Sequence, residues 1–380
     1  MHTVAWCFAG EFEQKSNKSP IIRGDFYSPV YANGCMEEKK MSITIRDVAK
    51  LAGVSPSTVS RVLNKTAPIS EETAGRIYRA MEELRYVPND IARSFASGSA
   101  RAIALAINVS DARAYANSFF NSTVYGIETA AHQNGYNLII TGANGERGGT
   151  SALEKLIMSK KIDGLVLPVS MLRPSIVKLV EDIRFPCVVL GRTDDPGDRI
   201  CWVDINNAQA GANAARHLLE GGYRRIAFLS RSSQELFSRD RLEGYRTELE
   251  KAGITPYPPY LIGHTVGFAE AGECVKALLR NPSAPDAVIC GDDRIALAAL
   301  RGARELGLRV PEDLGILCFD NTEVTELAET GITAVDVDTF ELGRLAAEAL
   351  LRRIEKPGLD ANQSQITAKV IRRQSTAREK

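Results

Sequence analysis

Residues 43–64 read ITIRDVAKLAGVSPSTVSRVLN, and the spacing predicts two short helices joined at Gly53. Thr44 caps the first helix, with Asp47 three positions on as a variant of the capping box. Val48, Ala49 and Ala52 fall on one face at helical spacing. Gly53 supplies the turn, since glycine takes a positive φ at little cost. Ser55 caps the second helix, and Pro56 occupies its first position, where a missing N–H costs nothing. Val59, Val62 and Leu63 form the inward face, which leaves Ser57, Thr58, Ser60 and Arg61 pointing outward. A generic helical hairpin would also bury the valines, but it would have no reason to present short polar groups and an arginine together. The layout is that of a helix-turn-helix, whose second helix enters the DNA major groove.

A third helix is expected next. Ser70 caps it, Glu71 and Glu72 suit its positive N-terminal end, and Ile77, Met81 and Leu84 line its inner face. Tyr86-Val87-Pro88 ends it. The run Asn89-Asp90-Ile91-Ala92-Arg93-Ser94-Phe95-Ala96 is helix-compatible but too short to be stable alone in water. It reads either as a linker or as a helix that forms only on DNA.

Residues 43–96 resemble the DNA-binding head and hinge of the lactose-repressor/galactose-repressor family. The matching residues are D-V-A-x-x-A-G-V-S-x-x-T-V-S-R-V-L-N and then Y-V-P-N-D-I-A-R-S. The similarity runs on to the last strand-like segment, about 340 residues in all. In that family two hinge helices pair across a dimer axis and each inserts a leucine into the minor groove; here the equivalent position is Phe95, and apolar wedges of several kinds unstack base steps. The DNA-contacting residues so implied are Thr44, Ser55, Pro56, Ser57, Thr58, Ser60, Arg61, Asn64, Ser70, Tyr86, Asn89, Ala92 and Phe95. Pro56 and Ser57 occupy the family's base-specifying positions: Pro56 offers apolar contact, for example to a thymine methyl, while Ser57 donates or accepts and Arg61 pairs with guanine or phosphate.

Composition is that of a chain of two or three globular domains: 380 residues, 44% apolar and 25% charged, with zero net charge. Between 41 and 99, eight Arg and Lys stand against six Asp and Glu. So weak a basic bias means that DNA affinity must come from placed contacts rather than a bulk field. No apolar run reaches membrane-spanning length. The seven cysteines show no C-x-x-C or Cys/His spacing, which reads as buried or free thiols in a reducing cytoplasm, with no metal site or disulfide frame. Residues 1–40 carry Trp6, Phe8 and Phe12 without periodicity and lack a signal-peptide pattern. They are expected to be a disordered extension, with Met41 the natural start.

From Arg101 onward short apolar runs (AIALAIN, LIITG, DGLVLPV, CVVLG, RRIAFLS, DAVICGD, GILCFD) alternate with helical stretches. Such alternation implies parallel sheets flanked by helices, an α/β core, with ligands beyond the strand C-termini. The family resemblance implies two lobes around a cleft, like those of periplasmic sugar-binding proteins. The expected division is a headpiece over 41–88, a hinge over 89–100 and a core over 101–380. Within the core the N-lobe is expected at 101–203 plus 339–365 and the C-lobe at 204–338 plus 366–380.

The same resemblance nominates effector-binding residues. Phe119 and Phe120, in N-S-F-F, are candidates to stack on an apolar sugar face, with a core role equally open for either. Arg241, in SRDRLEGY, stands where the family grips its ligand, and an arginine fork suits paired hydroxyls or a carboxylate. Asp320, in CFDNTE, matches an aspartate at a strand end. Asp292 stands where the family usually has asparagine, with Asp293 beside it expected as a helix cap. Arg192 follows another strand end. Departures from the sugar-binding pattern are Asn206-Asn207 in D-N-x-x-G, Gly191 in place of an aspartate and Val337 in place of a glutamine. Arg192 and Arg241 favour an anion, whereas Asp292 and Asp320 oppose a highly charged one.

The expected protein is thus a cytoplasmic bacterial repressor. It would bind a pseudo-palindromic double-stranded operator as a homodimer and be switched by a small molecule, a sugar or sugar derivative, without cofactor or metal. No leucine heptad follows ITAKVIRRQST, which argues for a dimer over a tetramer. A periplasmic-type solute-binding protein would share the lobes but needs an export signal and no DNA-binding head. An enzyme would need a catalytic constellation, and the four histidines (2, 132, 217, 264) are scattered with no G-x-S-x-G, P-loop or metal spacing.

Overall fold

The computed structural model describes residues 43–64, 67–87, 98–108, 118–142, 151–194, 200–232, 234–258, 260–263, 267–359 and 363–378. The expected N-terminal extension, the hinge residues Asn89, Ala92 and Phe95, and the Asn64 side chain lie outside them. The chain divides into two units, residues 1–88 and 89–380.

In the first unit α1 (Ile45–Ala52), α2 (Pro56–Asn64) and α3 (Glu71–Glu83) close on one another. The Asp47 carboxylate accepts from the Thr44 backbone N–H at 2.8 Å and from its hydroxyl at 2.7 Å. Gly53 adopts φ 64° and ends α1 in the left-handed region. The Ser55 and Ser70 hydroxyls accept from the N–H groups of Thr58 and Thr73, at 3.1 and 3.4 Å, so each later helix has its cap. Val48, Ala49, Ala52, Val59, Val62, Ile77 and Ala80 make the buried centre, with Leu63, Met81, Leu84 and Tyr86 packed around it.

The second unit holds two six-stranded sheets. The first half of the chain supplies β1 (Ala102–Ile107), α4 (Ser118–Gln133), β2 (Asn137–Gly142), α5 (Ala152–Met158), β3 (Gly164–Pro168), α6 (Pro174–Asp182), β4 (Cys187–Leu190) and β5 (Trp202–Ile205). Then come α7 (Asn207–Glu220), β6 (Ile226–Ser230), α8 (Leu236–Lys251), β7 (Tyr260–Leu261), α9 (Phe268–Leu279), β8 (Ala287–Cys290), α10 (Asp293–Glu305), β9 (Gly315–Phe319), α11 (Glu323–Leu327) and β10 (Thr333–Asp336). Finally α12 (Thr339–Glu355) and β11 (Gln363–Ile366) return to the first sheet, and β12 (Lys369–Ile371) joins the second.

The sheet orders are β2-β1-β3-β4-β5-β11 and β7-β6-β8-β9-β10-β12, the same winding used twice. Every pairing is parallel except β12 on β10. Period-two alternation sends successive strand residues to opposite faces: Phe228, Ile289, Leu317 and Phe319 pack under α7 and α8, while Leu229, Val288, Cys290, Ile316 and Cys318 pack under α9 and α10. In the first sheet Ile103, Leu105, Val166, Val188 and Val203 face α4 and α12, and Ala104, Leu165 and Leu167 face α5 and α6.

The sequence suggested one strand across ITAKVIRRQST. The chain instead splits it, pairing Ile366 in parallel with Ile205 in the first sheet and Ile371 antiparallel with Ala334 in the second. That segment is the third of three connections between sheets, after β5 to α7 and β10 to α12. Ile205, Val337 and Ala368 on these connections are buried in a common cluster, so Val337 serves as core where a pocket residue was considered.

Each lobe brings two helices together through facing glycines. A Cβ on Gly126 would lie 2.1 Å from the Phe340 carbonyl oxygen, and one on Gly343 would lie 2.1 Å from that of Thr123. On α7 and α8, a Cβ on Gly211 would meet the Arg241 carbonyl oxygen at 1.9 Å, and one on Gly244 that of Ala208 at 1.8 Å. Only hydrogen in place of a side chain permits these approaches. Gly244→Ala should therefore part α7 from α8 and lower stability by about 1–3 kcal/mol. Gly272→Ala, at a helical position with nothing within 4 Å of the added Cβ, should be neutral or gain about 0.5–1 kcal/mol. Thermal unfolding of the two variants side by side checks the contrast.

Candidate functional site

Two constellations carry chemistry, one in each unit. On the headpiece, Thr44, Ser55, Pro56, Ser57, Arg61 and Ser70 are exposed. Thr58 and Ser60, expected outward, are only half exposed. The Ser55 hydroxyl lies 2.7 Å from that of Ser57 and 2.8 Å from that of Thr58, so the cap and two candidate base-reading groups form one hydroxyl cluster. Tyr86 packs against the headpiece centre, and Tyr78, unremarked in the sequence, is 51% exposed.

In the core, the nominated polar residues sit at strand C-termini or on α8. Arg241 is buried. Its Nε donates to Asn207 Oδ1 at 2.9 Å, and its guanidinium carbon lies 4.0 Å from the Phe319 ring centre and 5.2 Å from that of Phe237. Burial pulls this guanidinium below its ordinary value, and Asp320, Asp204 and Asp292 work against that pull. Asn207 in turn donates to both oxygens of Asp204 at 3.4 Å, and Asp204 also accepts from the backbone N–H groups of Arg192 (2.9 Å) and Ile205 (2.7 Å). Asn207, noted from sequence only as a departure in a motif, links Arg241 on α8 to Asp204 on β5.

Asp320 follows β9 with φ 72°. Its Oδ1 is buried without a hydrogen-bond partner. Burial pushes its carboxyl up to about 6; Arg241 opposes this, while Asp293 and Asp292 add to it. The helix cap expected at Asp293 belongs to Asp292, whose Oδ1 accepts from the Ile295 N–H at 2.8 Å while its Oδ2 pairs with Arg231 at 2.5 Å. Asp293, one position inside α10, instead accepts from the Thr322 hydroxyl at 2.9 Å. Arg192 pairs with Asp240 on α8 through Nε (3.2 Å) and Nη2 (2.9 Å). Phe119 packs against the clusters of both lobes and Phe120 against that of the first.

Sequence reasoning missed Asp204, Asp240 and Phe237. Phe237 stands four residues before Arg241 on one helix, a spacing that stacks side chains. A carboxylate inside the buried strand WVDI was the available signal for Asp204. A separate cavity of about 60 Å3, lined by Leu167, Ile176, Phe185, Cys187 and Arg353 among others, shares none of these residues. Among the described residues no group of three or more His, Cys, Asp or Glu is placed to hold a metal, and no helix is long and apolar enough to cross a membrane. His217 is buried with Nε2 at 2.8 Å from the Thr376 hydroxyl.

A helix-turn-helix head on a two-lobed α/β core with convergent polar groups at the strand ends defines a class: ligand-switched DNA-binding regulators. Residues 44–89 match the family described as bacterial regulatory proteins, lacI family, and residues 215–376 match a periplasmic binding protein-like domain. The chain is 30% identical over 333 residues to the HTH-type transcriptional repressor PurR of Aliivibrio salmonicida, covering 87% of this chain and 98% of that one. It is 34% identical over 316 residues to the HTH-type transcriptional regulator MalR of Streptococcus pneumoniae, covering 83% and 93%. A solved complex of the transcriptional regulator CelR with cellobiose superimposes with a TM-score of 0.64 at 30% identity, covering 88% of this chain and 99% of that one. The chain belongs to the lacI family of bacterial regulatory proteins, and it is a DNA-binding transcriptional regulator.

Because the Asp320 carboxyl titrates higher in the folded protein than in the unfolded chain (about 3.9), folding favours its protonated form. Its stabilising contribution is complete below about pH 4 and is lost as the pH rises through 6. Asp320→Asn, which tolerates the left-handed backbone, should gain stability relative to the parent as pH rises from 4 to 8, by on the order of 2 kcal/mol. Denaturant unfolding at both pH values measures it; a pH-independent difference would remove the buried carboxylate from the account.

Proposed function

We propose that this protein is a cytoplasmic repressor without enzymatic activity. It binds a pseudo-palindromic operator as a homodimer and is switched by a neutral polyhydroxylated small molecule, a sugar or sugar derivative, held between the two lobes of the core. The observation that carries the ligand class is the pairing of Arg241 with the unpartnered Oδ1 of Asp320. One offers donors and the other an acceptor, in a site that already buries both.

A hydroxyl donates and accepts at once, so adjacent hydroxyls satisfy this pair without importing charge. The other cation expected to draw an anion, Arg192, is balanced within the protein by Asp240 and Asp194, and the nearby Arg231 is balanced by Asp292. The cellobiose bound by the similar CelR supports the same class. On the DNA side, Ser57 and Arg61 present a donor–acceptor and a fork from the second helix of the head, while the weak net charge of that unit leaves specificity to such contacts. Two heads on a twofold axis read a palindrome where one reads only a few base pairs.

Arg61→Ala should reduce operator affinity by about 1–3 kcal/mol with secondary structure and dimer intact, measured by fluorescence anisotropy on a site recovered from random duplex DNA. Unchanged affinity overturns the recognition-helix assignment. Arg241→Ala should leave operator affinity within about threefold of the parent in the absence of sugars, since Arg241 belongs to the core unit and not to the headpiece unit. It should abolish the response to whichever mono- or disaccharide shifts the parent's operator binding in a panel screen, because the site loses its donors and Asp320 loses the nearby guanidinium that offsets its charge.

A further inference from the structure

Four side chains of alternating sign join the lobes. Arg192 and Asp194 follow β4 in the first lobe; Arg239 and Asp240 lie on α8 in the second. Arg192 reaches Asp240 with Nε at 3.2 Å and Nη2 at 2.9 Å and reaches Asp194 with Nη1 at 3.2 Å, and Arg239 Nη2 meets Asp194 Oδ2 at 2.6 Å. Each inner member of this row has an opposite charge on both sides. Side-chain exposures of 29% for Arg192 and 25% for Asp240 place the Arg192–Asp240 pair at a half-dry seam, where a forked arginine–carboxylate contact is stronger than an open surface pair and remains sensitive to salt.

The row is continuous with the ligand site. The Arg192 backbone N–H donates to Asp204, Asn207 donates to Asp204, and Asn207 accepts from Arg241. Arg241 is also the next residue after Asp240 on α8, so that helix is held from both ends of one polar path. Gly191 makes the approach possible: it takes φ 98°, and a Cβ there would lie 2.7 Å from Val169 Cγ1. The missing side chain at 191, considered from sequence as a lost sugar contact, lets the chain turn and aim Arg192 at the other lobe.

We infer that Arg192 and Asp240, extended from Arg192 by Asp194 and Arg239, form an interlobe latch that sets the resting closure of the core and positions Arg241 before any ligand arrives. This rests on the ligand-switched reading above. When the lobes part, the charges of Arg192 and Asp240 both return to water, so the latch yields without leaving a buried orphan charge. That suits an element that must open and close. The two positioning residues act on the ligand through Arg241.

The test uses the full chain without ligand, as parent, Arg192→Gln, Asp240→Asn and the double variant. Amide hydrogen exchange is followed by mass spectrometry at about 0.1 and 1 M NaCl, where charge screening lengths are ~10 and ~3 Å. Either single variant is expected to speed exchange about tenfold in peptides covering 191–194, 203–209 and 236–242, with β8 and β9 unchanged and the double variant no faster than the singles. High salt should speed the parent in the same peptides and leave the variants unmoved. Parent-like exchange in Asp240→Asn overturns the latch, as do additive effects in the double variant or faster exchange throughout the core. Operator binding by the same preparations reports separately on the regulatory reading, since no exchange measurement involves DNA.

Discussion

A guanidinium buried among carboxylates and aromatic rings is the constraint around which the core is arranged. Arg241 cannot shed its proton and has been taken from water, so its surroundings must supply both charge and hydrogen bonds. Asn207 supplies the hydrogen bond to Nε, Phe319 the ring face, and Asp320 the compensating carboxylate. Those three come from α7, the end of β9 and the residue just beyond it. Their convergence requires α8 to lie so close to α7 that the crossing tolerates no Cβ. The glycine pair and the buried arginine are thus one design: the first sets the distance, the second uses it.

The lobes solve the same packing problem twice. Each winds its sheet in one order and seats two helices through reciprocal glycines, and the three connections are sealed by small or branched apolar residues. Two halves joined by three short connections have a layout suited to hinge closure. Polar groups at the seam therefore feel the state of the ligand site directly. DNA and effector affinity must then be coupled reciprocally, whichever sign the coupling takes.

Much of this was legible in the chain. The capping residues, Gly53 and the valine face of α2 placed the head because local hydrogen bonding and helical period act over a few residues. The apolar runs that became β1, β3, β4, β6, β8 and β9 were equally plain, since a strand buried on both faces needs little but apolar residues. What stayed hidden has a common cause. WVDI, TAVD and QSQI carry polar residues and are strands by virtue of their neighbours. The break between Ile366 and Lys369 depends on two different sheets claiming adjacent residues. Asp240 looked like one charge on a charged helix until the opposite lobe brought Arg192 to it, and the cap at Asp292 rather than Asp293 turned on a single-residue offset that sequence spacing does not resolve.

The order of the chain has a cost in time. The face of β1, β3, β4 and β5 that packs against α12 is complete once Ile205 is made, yet α12 ends at Glu355. At ~5–20 residues per second the ribosome takes roughly 10–30 s to make the intervening stretch. Through that interval Ile103, Leu105, Val166 and Val188 have only α4 to shelter them, while the second lobe assembles its sheet through β10 from a continuous segment. The lobe made first therefore waits for its last helix with one sheet face half covered, and β12 then closes the second sheet last of all.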